Sequence, residues 1–131
     1  MQAPYGFGLH HVQLAMPRNG EEDCRRFYVD VLGLTEIPKP AALAARGGIW
    51  VGADSLELHI GVEEPFAPQR KAHPGIIVTD LDALAERLAS HGCDVVWDGE
   101  FPGMRRFYTA DNNGNRLEFL SRRASEQPVP G

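Results

Sequence analysis

The chain has 131 residues, 43% of them apolar and 24% charged, with a net charge of −5. That length supports one compact unit with a real core and excludes two large domains. No apolar run approaches the roughly 20 residues of a membrane helix, and acidic charge spread along the chain argues against a nucleic-acid partner. The N-terminus, Met-Gln-Ala-Pro-Tyr-Gly, has neither the basic nor the apolar region of a secretory signal. Cys24 and Cys93 lie far apart and outside any CxxC pair, so a reduced, cytoplasmic setting is expected.

The first predicted element is a strand over residues 8–16. Its alternation puts His11, Gln13 and Ala15 on one face and His10, Val12, Leu14 and Met16 on the other, more apolar face. A helix follows from about Gly20 to Leu32. Asn19 suits its N-cap, Glu21, Glu22 and Asp23 suit its positive end, and Gly33 ends it. Cys24, Phe27, Tyr28, Val31 and Leu32 recur at helical spacing and form its apolar stripe. Two strands come next, Arg46–Val51 and Leu56–Gly61, joined by a Gly-Ala-Asp-Ser turn. In the second of them Glu57 and His59 share the face opposite Leu56, Leu58 and Ile60. The segment Glu63–Lys71, with Pro65 and Pro68, reads as a linker.

The second half repeats the plan. Residues 73–78 form a strand opened by His73. A helix from about Leu81 to His91 is capped by Asp80 and closed by Gly92. Strands over 94–98, 104–110 and 115–121 follow, the last two joined by the tight-turn pair Asn113-Gly114. Arg116, Glu118 and Leu120 share one face of the final strand. The tail after Arg122 is polar and Pro-rich and reads as loosely ordered. The order is an α+β fold: two βαβββ modules, over residues 8–62 and 72–122, in a single domain spanning 1–131. Their strands should curl into an open sheet of half-barrels with the helices outside.

The repeat carries chemistry. His11 is followed by Glu57 in Leu-Glu-Leu-His, and His73 by Glu118 in Leu-Glu-Phe-Leu, at nearly equal separations. Each member sits opposite the apolar face of its strand. Neutral imidazole and carboxylate together suit Zn²⁺, Ni²⁺, Co²⁺, Mn²⁺ or Fe²⁺. Four such ligands leave positions open for a substrate with two neighbouring oxygens, and a ligand carboxylate, Glu57 or Glu118, could act as base. A histidine at a strand start is otherwise a structural or surface residue, and a strand glutamate is usually solvated. The duplication is what favours ligands. His59 is read as a contact beside Glu57 or a structural histidine, and His91 as a helix-end cation. One of Arg105 and Arg106 should face inward. Cys24 is read as core.

At these residues the sequence resembles the vicinal oxygen chelate superfamily, which includes glyoxalase I, fosfomycin-resistance transferases, bleomycin-binding proteins and extradiol dioxygenases. The likeness covers about Leu9 to Leu120. Its most telling parts are the strand with His11, the helix ending Tyr-Val-Asp-Val-Leu-Gly-Leu, and Asp-Asn-Asn-Gly-Asn-Arg-Leu-Glu-Phe-Leu. The resemblance implies a homodimer and a divalent metal at His11, Glu57, His73 and Glu118. It implies a small-molecule substrate bound through adjacent oxygens, with a lyase or isomerase step first and an extradiol-type dioxygenase second. The alternative is a non-catalytic, bleomycin-like binding protein with Trp50, Trp97, Phe101, Phe107 and Tyr108 as stacking walls. Whether the ligands come from one chain or two is open at this point.

Overall fold

Strand alternation decides the architecture. In the computed structural model, which describes residues 1–123, the first strand, β1 (Val12–Met16), buries Leu14 and Met16 and leaves Gln13 exposed. The same division continues across β3 (Ile49–Ala53) and β4 (Leu56–Val62). Ile49, Val51, Leu58 and Ile60 are 0–1% exposed and form the floor under the helices. Burying such aliphatic side chains contributes about 1.5–3 kcal/mol each, which fixes register, since a one-residue slip would invert the faces.

A short strand, β2 (Thr35–Ile37), completes the first sheet in the order β1-β4-β3-β2, with β1 parallel to β4. The second sheet repeats that order as β5-β8-β7-β6, from β5 (Gly75–Ile77), β6 (Val96–Asp98), β7 (Met104–Ala110) and β8 (Arg116–Arg122). β5 lies parallel to β8, so each module places its first strand beside its last. Two βαβββ-like modules with helices packed outside is the expected fold. A single apolar cluster joins them, running from Leu14 and Phe27 to Leu88 and Phe119.

Local details depart from expectation. The first helix is α-helical only over α1 (Glu21–Arg25) and continues as a wider π-helical stretch over Arg26–Val31. Asn19 does not cap it: its backbone has φ of 65°, and Gly20 takes the cap position with no side-chain hydrogen bond. β2 and α2 (Ala41–Ala44) fall in a stretch expected to be irregular; three- and four-residue elements carry too little periodicity to be seen. His10 is not on an apolar face, because the strand starts at Val12 and His10 is exposed before it. Asp80 caps α3 (Leu81–Ser90) as expected, its carboxylate accepting from Ala83 N at 3.1 Å. The looseness expected of the tail bears mainly on residues beyond Arg123, which lie outside the described residues.

The modules are tied by a polar hub at the turn between β7 and β8. Asp111, buried, accepts from Tyr28 Oη at 2.5 Å and from the backbone of Asn113 and Asn115 at 2.9 Å. Asn115, fully buried, donates to the Ala15 carbonyl at 2.8 Å and accepts from Gln69 N at 3.0 Å. The Asp-Asn-Asn-Gly-Asn segment therefore fixes how the first module sits on the second. Burial and the neighbouring Asp111 charge push the Tyr28 phenol well above its ordinary value.

Candidate metal and substrate site

The four expected ligands fall into two pairs, one on each sheet. On the first sheet Glu57 and His59 point away from the core, with His59 Nε2 2.7 Å from Glu57 Oε2. His59 is 5% exposed because aromatic neighbours cover both its faces: Trp50 at 4.0 Å and His11 at 3.9 Å between ring centroids. Register explains this row. Trp50 on β3 and Gln13 on β1 flank His59 on β4, and His11 lies one alternation before Gln13. His10 Nδ1 in turn lies 2.9 Å from His11 Nδ1. The His59 hydrogen bond, helped by nearby imidazole charge, holds the Glu57 carboxyl below its ordinary range against a desolvation effect that opposes it. The structure thus resolves His59 as the side chain that orients Glu57 and stacks on His11. A cleft of about 490 Å³ opens here, lined by His11, Trp50, His59 and the basic Lys39 and Arg46.

On the second sheet His73 Nε2 lies 2.9 Å from Glu118 Oε1. Nδ1 of the same ring is 2.7 Å from the Lys71 carbonyl. A carbonyl only accepts, so Nδ1 carries a proton. Unless the ring carries a second proton, Nε2 then sets a lone pair against a carboxylate, an arrangement that a cation relieves. Two donors bound at right angles to one ion, at about 2.1 Å each, stand about 3 Å apart, which the observed contact matches. A carbonyl holding the far nitrogen is also the usual arrangement behind a metal-bound histidine. The donor set therefore fits a divalent cation.

Of the two arginines singled out, Arg106 faces the site. It reaches Asp98 Oδ2 at 2.8 Å and Glu118 Oε2 at 3.2 Å, so it orients the Glu118 carboxylate from behind. Arg105 goes to the other face, over Trp97, and pairs with Asp82 at 2.8 Å. Trp97 and Phe107 consequently lie on the sheet face away from Glu118: Phe107 is fully buried and Trp97 packs against it. Trp50, Phe101 and Tyr108 remain as site-facing aromatics. Sequence reasoning gave no weight to Arg116, whose guanidinium lies 3.8 Å from the Tyr108 ring centre. The signal was available, since Arg116 shares the Glu118 face by strand alternation.

Among the described residues, no three His, Cys, Asp or Glu side chains gather as a metal-holding set. Glu57 with His59 and His11 stands on one sheet, and His73 with Glu118 on the other. The faces that carry them expose apolar side chains to solvent. Ile77 and Val96, beside Leu120 and Tyr108, are 64% and 58% exposed. Tyr5, Phe7 and Leu9 ahead of His11 are all above 80%. No helix among the described residues is long and apolar enough to cross a membrane.

No family model matches the sequence, and no curated protein matches it. Solved structures do. A protein from Bacillus anthracis assigned to the glyoxalase family is 41% identical, with a TM-score of 0.88 over 93% of this chain and 100% of its own. A glyoxalase/dioxygenase from Nostoc punctiforme shares the fold at 19% identity, with a TM-score of 0.72 over 95% and 97% of the two chains. So does a mutant of the fosfomycin resistance protein FosX from Listeria monocytogenes, at 17% identity and a TM-score of 0.71 over 88% and 92%. That protein was solved with Mn(II) and a dihydroxypropylphosphonic acid. Duplicated modules with one strand order, paired His and Glu on matching faces, and 41% identity across nearly the whole chain lead to one assignment: the chain belongs to the glyoxalase, or vicinal oxygen chelate, superfamily.

Proposed function

We propose that the chain is a metal-dependent enzyme whose site is completed between two copies. His11 and Glu57 of one copy would join His73 and Glu118 of the other around one divalent ion. The superfamily supports the coarser statement, since its members are typically enzymes on small molecules and commonly bind divalent metals. The observation that supports the finer one is the placement of the pairs: His73 against Glu118 on one sheet, and Glu57 held by His59, on which His11 stacks, on the other, with apolar side chains uncovered nearby. In a two-fold dimer, covering one such face covers both, and two complete sites form together.

A divalent ion held there would polarise a carbonyl chelated through neighbouring oxygens and acidify the adjacent C–H. Glu57 then takes the proton from carbon and returns it to a neighbouring position, a lyase or isomerase step. His59 holds Glu57 Oε2 at 2.7 Å and so fixes which oxygen faces the substrate. Arg106 holds Glu118 Oε2 at 3.2 Å, which keeps Oε1 turned toward His73. Trp50 and Tyr108 supply flat walls that exclude water from the substrate plane.

Metal analysis of protein purified without chelator, paired with its solution mass, tests this reading. About one equivalent of divalent ion per chain in a dimer is expected. A metal-free protein with no uptake on titration would leave a non-catalytic binding protein as the better account.

A further inference from the structure

Arg116 is a half-buried charged group of this face that the proposed chemistry leaves unused. It sits two residues before Glu118 on β8, on the same face, beside Tyr108 of β7. Its guanidinium lies 3.8 Å from the Tyr108 ring centre, and the His73 ring stands edge-on to the same ring at 5.5 Å between centroids. The neighbouring cation is already neutralised, since Arg106 is shared between Asp98 and Glu118. Arg116 makes no ion pair within 4 Å among the described residues. Asp98 feels its charge only as a minor, longer-range effect. The side chain is half-buried, so it does not simply trail in solvent.

A guanidinium stacked on an aromatic ring keeps its in-plane N–H donors free, because the stack uses its faces and not its edges. Those donors form a rigid fork that matches an oxyanion bidentately. An arginine laid down in this way, next to the His73–Glu118 pair and with no acidic partner within 4 Å among the described residues, is a preformed anion receptor. We propose that Arg116, positioned by Tyr108, binds an anionic group of the substrate. The substrate class is then a small acid with two vicinal oxygens and a separate carboxylate. This inference rests on the chelate-site reading above. The rim of the other half-site agrees with it: Lys39 and Arg46 line that cleft in a chain of net charge −5.

The test uses two acids with the same chelating head. 2-Oxoglutarate carries a distal carboxylate where 2-oxopentanoate carries a methyl group. Calorimetry on the metal-loaded full chain should show 2-oxoglutarate binding roughly 10- to 100-fold more tightly, as a charge-assisted hydrogen bond predicts. Arg116→Gln should erase that preference while leaving metal uptake and 2-oxopentanoate affinity in place. Tyr108→Phe, which keeps the ring, should retain the preference, and Tyr108→Leu should lower it. Far-ultraviolet circular dichroism confirms that each variant folds. Equal affinities in the unmodified protein, binding of neither acid, or a preference that survives Arg116→Gln overturns the proposal. Failure of the metal reading is seen separately, as absence of metal uptake. The metal-free chain should still favour the diacid through Arg116 alone.

Discussion

The proposed pairing of half-sites makes a quantitative prediction for mixed dimers. One variant, His11→Ala with Glu57→Ala, loses the donors of the first sheet. A second, His73→Ala with Glu118→Ala, loses those of the other sheet. Each alone retains two protein donors per site, too few to hold a divalent ion against buffer and water. Coexpressed in equal amounts with random pairing, about half of the dimers are mixed. In a mixed dimer one site draws all four ligands from intact halves, and the other draws none. Metal content should therefore rise from near zero in either variant to about a quarter of the unmodified protein's, measured by elemental analysis after gel filtration. No metal in the mixed sample, with normal loading of the unmodified protein, would refute a site shared between chains. Full loading of either variant alone would refute the ligand assignment.

Other outcomes follow from the same geometry. Tyr28→Phe removes the hydrogen bond to Asp111 at the junction of the modules and leaves a buried carboxylate with one donor fewer. Thermal unfolding should show a loss of about 1–3 kcal/mol; an unchanged melting temperature would mean that the hub does not tie the modules. Acid should weaken the metal-free chain in a defined direction. Glu57, Asp98 and Glu21 all have folded carboxyls below their ordinary values, from the His59 hydrogen bond, the Glu100 backbone N–H and the Gly48 N–H respectively. Their contribution is present in full above the unfolded values, near 4, and is lost as pH falls through the depressed folded ones. Melting temperature scanned against pH should hold steady in the neutral range and decline only below about pH 4 to 5. Metal uptake should fail at a higher pH than stability does, because every ligand must be deprotonated to bind.

The fold was legible because its signals are long and redundant. Leu14 and Met16 against Gln13, and Leu58 and Ile60 against Glu57 and His59, define the same two faces in separate strands. The Asp80 cap and the Asn113-Gly114 turn mark boundaries by chemistry that local sequence displays. What was missed is short or relational. β2 and α2 span three and four residues. Asn19 has the right side chain for a cap, but the chain bends through it in a left-handed conformation. The two His–Glu pairs are visible as a repeat, while the stacking that buries His59 between Trp50 and His11 depends on cross-strand register, which sequence does not display. Arg105 and Arg106 could not be told apart until β7 was paired with β8. Alternation puts Arg116 on the Glu118 face, but its meaning comes from Tyr108 on the next strand and from the lack, among the described residues, of an acidic partner within 4 Å.

The central claim is a divalent metal held by His11, Glu57, His73 and Glu118 between two copies of the chain. Native mass spectrometry of protein prepared without chelator tests it most directly, since mass reports oligomer and metal together. The account predicts a dimer of the 14.4 kDa chain that carries two divalent ions and loses them on Glu118→Ala. A monomer with one ion, or a dimer that takes up none when titrated, would contradict it.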